Sequence, residues 1–282
     1  MDERVLDAQR WVNTTYSGVA GYERCPENGK TNWATMYSLT EGLQHELGIQ
    51  KLSHAFGPTT MSKVDARGGV GPGERNKNIV NIIKCAFYCK GYPGGNFDGI
   101  WNSSPPFGPK QDAVAGSLYT MTDNMGIGKQ ERLNAKLFKA LLTMDAYVLV
   151  AGGDPEVRKI QQWLNGRYWR RSFATLIPTE GHYSRDVQKL LMKALQSEFG
   201  IADASVNGNF GPATQRQLAA HSLKPGDSGV LVELLSAACV FNGAVPSGED
   251  MVHTVFKATF DDKLAKYIQA FQAFSGSSGS RV

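Results

Sequence analysis

The sequence predicts an all-α protein, a tandem array of four small helical units in two duplicated pairs. Three observations carry this. Gln9-Arg10-Trp11-Val12-Asn13 returns as Gln161-Gln162-Trp163-Leu164-Asn165, and Leu43 to Ile49 returns as Leu195 to Ile201, both at an offset of 152 residues. Phe56-Gly57-Pro58-Thr59-Thr60 returns as Phe210-Gly211-Pro212-Ala213-Thr214 at an offset of 154, a slip that a loop absorbs. The third observation is helical periodicity with few strand signals. Only Tyr147-Val148-Leu149-Val150 is β-prone, and it follows a helical stretch.

Unit 1 spans residues 1–67. Met36, Leu39, Leu43 and Leu47 form one helical stripe, and Gly57-Pro58 then reads as an N-cap followed by a first-turn proline that opens a short helix. A glycine-rich linker, Arg67 to Gly73, leads to unit 2 at residues 76–150. There Val80 to Ala86 is a buried helix closed by Gly91, the usual left-handed stop. Gly152-Gly153-Asp154-Pro155 separates the halves.

Unit 3, residues 154–224, repeats unit 1. Its stripe is Val187, Leu190, Leu191, Ala194, Leu195 and Phe199, with Ser184 placed as N-cap and Gly200 as stop. Unit 4, residues 225–274, is a divergent copy of unit 2. Val232 to Ala238 aligns with Val80 to Ala86 and Gly243 with Gly91, while Phe107 and Lys110 align with Phe260 and Lys263. Residues 275–282 are Gly/Ser-rich and read as a tether or an appended end.

Composition fits this picture. The 282 residues, 41% hydrophobic and 20% charged, suit a globular chain of about two domains. Thirty basic against 26 acidic residues give a formal charge of +4, too mild to name a partner and far below the concentrated charge of nucleic-acid binders. No apolar run has the roughly 18 residues a membrane span needs. The N-terminus, Met1-Asp2-Glu3-Arg4-Val5, carries no apolar signal segment. The four cysteines, Cys25, Cys85, Cys89 and Cys239, lack C-x-x-C spacing and a neighbouring histidine, so buried free thiols are expected rather than zinc ligands.

The helix with Gln-x-Trp-Leu-Asn, the Leu-Gln helix and the turn Val206-Asn207-Gly208-Asn209-Phe210-Gly211-Pro212-Ala213-Thr214 resemble the peptidoglycan-binding-domain family, as does Asn96-Phe97-Asp98-Gly99-Ile100-Trp101. The family pattern at that turn is close to Asp-Gly-x-Phe-Gly-x-x-Thr. The resemblance covers nearly the whole chain and is weakest in unit 4, where Phe260-Asp261-Asp262-Lys263 has no glycine. In unit 2, Ser103-Ser104-Pro105-Pro106 stretches the turn. The resemblance implies three-helix modules that hold bacterial cell-wall peptidoglycan, glycan strand or stem peptide, in an extracellular or cell-wall setting. The four-unit order resembles the N-terminal part of secreted Gram-positive proteins that continue into a glycoside-hydrolase-like barrel, which implies a hydrolase-like domain beyond this chain.

Physically, Asn-Gly supplies a turn with positive φ, Phe56 and Phe210 anchor the loop in the core, and Gly-Pro starts the next helix. Ligand contact is then expected from polar and aromatic groups beside the turn, since sugar rings stack on aromatic faces and peptides need amide hydrogen bonds. Trp33, Asp98, Trp101, Asn102, Asn209 and Thr214 are the candidates; Trp11 and Trp163, on apolar helical faces, are assigned to packing.

Enzyme signatures are broken. His45-Glu46-Leu47-Gly48-Ile49 has Ile49 where a zinc-protease helix needs its second histidine, and Gly29-Lys30-Thr31 lacks the earlier glycine of a phosphate loop, where Arg24 stands. No histidine recurs in both copies, so a duplicated metal site is excluded, and no cofactor or metal is expected. Asp98, Asp112, Glu180 and Asp186 could serve glycan cleavage, but their spacing selects no pair. Arg167-Tyr168-Trp169-Arg170-Arg171 could stack bases and pair phosphates, although such a cluster is more often a solvated helix end. The expectation is non-catalytic binding to peptidoglycan that targets or spaces an associated hydrolase-like domain. The alternatives are a peptidoglycan hydrolase, glycosidase or amidase, acting within these helices, and a rigid spacer.

Overall fold

The computed structural model describes residues 1–102 and 114–276. The sequence readings on Ser103 to Pro106, Phe107, Lys110, Asp112 and the end of the tail lie outside the described residues. Within them the chain is all-α: eleven helices and a single two-stranded hairpin. It divides into two compact units, Met1–Ala146 and Tyr147–Val282.

The first unit contains α1 (Glu3–Tyr16), α2 (Trp33–Glu46), α3 (Pro58–Ala66), α4 (Lys77–Cys89), α5 (Val114–Asn124) and α6 (Ala135–Leu141). α4 is the central element. It is buried along most of its length and packs on α1 and α2 on one side and on α5 and α6 on the other. α6 also packs on α3, and an isolated bridge between Val70 and Leu133 ties the two approaches together.

The second unit contains α7 (Pro155–Tyr168), α8 (Arg185–Glu198), a 3-10 turn at Asp203–Ser205, α9 (Pro212–Ala220), α10 (Val230–Asn242), strands β1 (Val245–Ser247) and β2 (Asp250–Val252), and α11 (Asp262–Phe274). α10 lies between two cores. Leu234 and Ala237 pack with Ile160, Leu164, Val187 and Leu190, whereas Val232 and Cys239 pack with Val245, Val252, Leu264 and Tyr267. The hairpin pairs Val245 with Val252 around Gly248 and was not legible in the sequence. Tyr147 to Val150, the one β-prone run, forms no strand.

Helix boundaries follow the local signals. Ser184 caps α8 through its hydroxyl, Gly57 and Gly211 stand at the N-caps of α3 and α9 ahead of Pro58 and Pro212, and Gly91, Gly200 and Gly243 all take positive φ after their helices. Asp2 and Asp154, one repeat apart, cap α1 and α7 with their carboxylates.

The strongest correspondence between the halves is polar and buried. Asn13 donates to the Cys25 carbonyl at 2.9 Å and accepts from its N–H at 3.1 Å; Asn165 does the same to Ile177 at 2.9 and 3.0 Å. One turn earlier, Gln9 accepts from the Gly29 N–H and Gln161 from the Gly181 N–H, both at 2.9 Å. These glycines are obligatory. Both have positive φ, and a Cβ would stand 2.7 Å from the Asp2 carbonyl oxygen or 2.8 Å from the Asp154 backbone. Gln44 on α2 and Gln196 on α8 repeat the device on the following loop. Gln44 donates to the Ala55 carbonyl and accepts from Ser53, while Gln196 donates to Asn209 and accepts from Asn207 and Gly208. Tyr16 and Tyr168 close the set, each donating to a glutamate, Glu46 and Glu198.

All four cysteines are free thiols, and three are buried. Burial pushes each thiol up, Cys89 and Cys239 to about 12 and Cys85 well above its ordinary value. Lys90, whose ammonium donates to the Asp145 carbonyl, is pushed by burial down to about 8.

Two outcomes follow. Asn165→Ala strands the N–H and C=O of Ile177 in the interior at about 1–3 kcal/mol per group, so urea unfolding should shift to a lower midpoint. The thiols stay protonated in the folded state above the ordinary thiol value of roughly 8.5. Their contribution is therefore present below that pH and lost as pH climbs toward 12. Lys90 acts oppositely from about 8 upward, as does Lys193, whose ammonium burial also lowers, two amines against four thiols. Stability measured by thermal melts should fall between about pH 8.5 and 11.

Candidate functional site

Between α8, α9 and α10 the second unit opens an apolar cavity of about 330 Å³. α8 contributes Leu191, Leu195 and Phe199, α9 Leu218, and α10 Leu231, Leu235 and Phe241, with Gln188, His221 and Asn242 among the polar lining. Two aromatic stacks frame it. The Tyr183 ring lies 4.7 Å from Phe241 at 29°, and the His221 ring lies 4.8 Å from Phe199 at 30°. His221 is oriented by the Gln217 carbonyl, 2.7 Å from Nδ1.

The first unit has aliphatic residues at the corresponding positions, and there the face is closed. Leu39, Leu43, Ile79, Ile83 and Val64 are the counterparts of Leu191, Leu195, Leu231, Leu235 and Leu218. All five are fully buried, whereas Leu218 is 45% exposed and the other four are only partly buried. The cover is α6, which packs on α3 and α4 and sets Phe138 at 6.2 Å from Phe56. Consequently Phe56 is 8% exposed and its counterpart Phe210 is 51% exposed. The expected anchoring of the turn by phenylalanine holds for Phe56 and fails for Phe210, because among the described residues of the second unit no helix packs on α9 as α6 packs on α3.

The six residues singled out from the sequence divide by accessibility. Trp33 opens α2, is 50% exposed and stacks on Tyr37 at 5.7 Å. Asn209 is exposed, with its backbone carbonyl held by Gln196. Thr214 is buried, and its hydroxyl sits between Gln196 and the Asn209 carbonyl. Asp98 accepts from the fully buried Lys84 ammonium at 2.5 Å. Burial would raise its carboxyl, but the bonds from Lys84 and the Ile100 N–H outweigh it and hold the group low. Asn102 accepts from the Val114 N–H at the start of α5, and Trp101 is buried. These four hold loops, and Thr214 does so against Asn209 itself.

Other charged groups are committed internally. Arg167 pairs with Glu198 and Arg171 with Asp203, Arg170 lies over the Trp169 ring at 5.2 Å, and Trp169 is buried. Sequence reasoning missed one cluster among the described residues, Glu23, Glu41 and His54, whose donor atoms lie within 4.8 Å of one another. The three come from a loop, a helix and another loop, so no spacing rule exposes them. Burial raises the Glu41 carboxyl, partly offset by the Glu23 N–H and by His54.

Residues 150–280, the segment that contains the open cavity, match the family model described as FadG/YbfG, PGDB-like domain. This supports the coarse family, a peptidoglycan-binding-like fold. The chain is 41% identical over 278 residues to FadG of Bacillus subtilis (strain 168), an uncharacterized protein, covering 98% of this chain and 45% of that one. It is 37% identical over 276 residues to YbfG of the same organism, also uncharacterized, covering 97% and 35%. The chain thus spans less than half the length of either relative. No solved structure matches it.

The contrast between the halves can be measured. Phe138→Ala should destabilise the protein by about 3–5 kcal/mol, the cost of emptying a packed aromatic site. Phe210→Ala should cost less than about 1 kcal/mol, since the ring is half in water. Equal costs in chemical denaturation would contradict the assignment of a sealed and an open face.

Proposed function

We propose that this chain binds bacterial cell-wall peptidoglycan without catalysis, using the open groove of its second unit. The observation that carries the reading is that the segment matching a PGDB-like family model holds an apolar cavity framed by aromatic stacks, while the counterpart wall residues of the other copy, Leu39, Leu43, Val64, Ile79 and Ile83, are fully buried. Leucines on the groove walls suit the methyl groups of stem-peptide alanines and of N-acetyl groups. The Tyr183–Phe241 pair offers an aromatic face to a sugar ring, and Gln188 and Asn242 supply amides for a peptide backbone.

In this reading the chain comprises four helical units, 1–67, 76–150, 154–224 and 225–274. Trp33 with Tyr37 gives the first unit a separate aromatic platform, and Asn209 a polar contact on the exposed turn. Asp98, Trp101, Asn102 and Thr214 act indirectly by shaping the loops. Weak contacts on a repeating polymer reinforce one another through effective concentration. The protein would then work outside the cell or in its wall, targeting or spacing a hydrolase-like domain in a longer polypeptide. The greater length of FadG and YbfG leaves room for one in those relatives. The alternative is a peptidoglycan hydrolase, for which Glu41, raised by burial, and Glu23 would be the carboxylates.

Co-sedimentation with purified sacculi at high salt tests the binding. The wild-type chain should pellet. Leu218→Asp, a change at a half-exposed position that places a charge in the groove, should reduce retention by at least about tenfold, equivalent to about 1.4 kcal/mol. Arg170→Ala should leave it unchanged. Retention equal in Leu218→Asp and wild type would remove the groove from the account. Release of reducing sugars or new amines from the walls, abolished by Glu41→Gln, would establish the hydrolase instead.

A further inference from the structure

The Glu23–Glu41–His54 cluster is built, and its construction goes beyond a chance grouping of surface charges. The loop carrying Glu23 is pinned from both sides: Ser38 donates to the Glu23 carbonyl at 2.6 Å, and the Glu23 N–H donates to Glu41 Oε2 at 2.8 Å. Glu41 projects from the middle of α2 with a side chain only 2% exposed, and no lysine or arginine pairs with it among the described residues. Its second oxygen, Oε1, points into the cluster, 3.4 Å from His54 Nε2. His54 is aimed by stacking on Tyr37, with ring centroids 4.2 Å apart and planes 2° from parallel. Nε2 then also meets Glu23 Oε2 at 3.1 Å.

From this geometry we infer that the first unit carries a divalent transition-metal site, with zinc the best fit, formed by His54 Nε2, Glu41 Oε1 and Glu23 Oε2. Zinc bonds to imidazole nitrogen and carboxylate oxygen at about 2.0–2.2 Å, so neighbouring ligand atoms on a tetrahedron stand about 3.3–3.5 Å apart. The two contacts of Nε2, 3.1 and 3.4 Å, are close to that edge length. The Glu23 side chain is 70% exposed and free to complete the third edge. Charge also balances, since two carboxylates and a neutral imidazole neutralise a dication. Without the metal, a protonated His54 would leave the group one negative charge in excess.

The surroundings are those of ligands held from behind. The Glu23 N–H on Glu41 Oε2 fixes the carboxylate, and the Tyr37 face fixes the imidazole plane. Three protein donors leave a fourth position for water. The second half has no equivalent. One repeat on, Glu41 is replaced by Lys193, whose ammonium donates to the Phe173 carbonyl at 2.6 Å. The same helix position thus pins a loop in both copies, with a cation in one and a carboxylate in the other.

The inference is independent of wall binding and has its own readout. Tag-free full-length chain titrated with zinc chloride in a calorimeter should show one saturable site, retained in Leu218→Asp. His54→Ala should weaken it at least about tenfold, as should Glu41→Gln; Glu23→Gln should weaken it less. Cobalt should give the intense visible absorption of a four-coordinate ion, lost in His54→Ala. His221→Ala should change nothing. His54 and Glu23 are exposed, so those variants keep the fold, verified by circular dichroism, even if Glu41→Gln does not. No saturable binding, or equal affinity in wild type and His54→Ala, overturns the site.

Discussion

The structure depends on one kind of interaction: a buried side-chain amide that serves both hydrogen-bonding groups of a loop. The segments joining α1 to α2 and α7 to α8 form no regular structure, yet they run against the helices, where unpaired N–H and C=O groups are costly. Asn13 and Asn165 each satisfy a donor and an acceptor at once, and Gln9 and Gln161 secure the loop one helical turn earlier. An i, i+4 pair of amides on one helix face therefore fixes the path of residues 25–30 in one copy and 177–182 in the other.

With the frame set by amides, duplication left the apolar faces free to diverge. In the first copy Phe138 and its helix cover the wall made by α2, α3 and α4, and every counterpart residue is buried. In the second copy the leucines at those positions remain, but the cover does not. An apolar groove open to water is unfavourable for the folded chain by itself, and exposed apolar patches of this kind mark interaction surfaces. α10 tolerates the open face because its opposite side is held by the hairpin and α11.

Much of this was legible in the sequence, and what failed did so for physical reasons. Ser184, Gly57-Pro58 and Gly211-Pro212 act within one helical turn, so local rules found them. The repeat was visible for a related reason: Gln9, Asn13, Gln44 and Gly29 each satisfy a fixed geometric demand that few residues meet. Accessibility was not visible. Phe56 and Phe210 occupy identical motifs and differ because of Phe138, some 80 residues away from the first. The same holds for Thr214, chosen as a contact and found buried under Gln196, and for His54, whose partners lie on other segments. The signal that could have been used was the recurrence of amides at i and i+4, which marks buried polar clamps.

The two halves share a frame, and the second presents the open apolar groove to which binding is assigned. Hydrogen exchange on the full chain, with and without soluble peptidoglycan fragments, tests it most directly. Added protection is expected along α8 and α10 around Tyr183, Leu195 and Phe241, with the buried helix α4 unchanged. Protection confined to the first half, or none anywhere at saturating fragment, would contradict it.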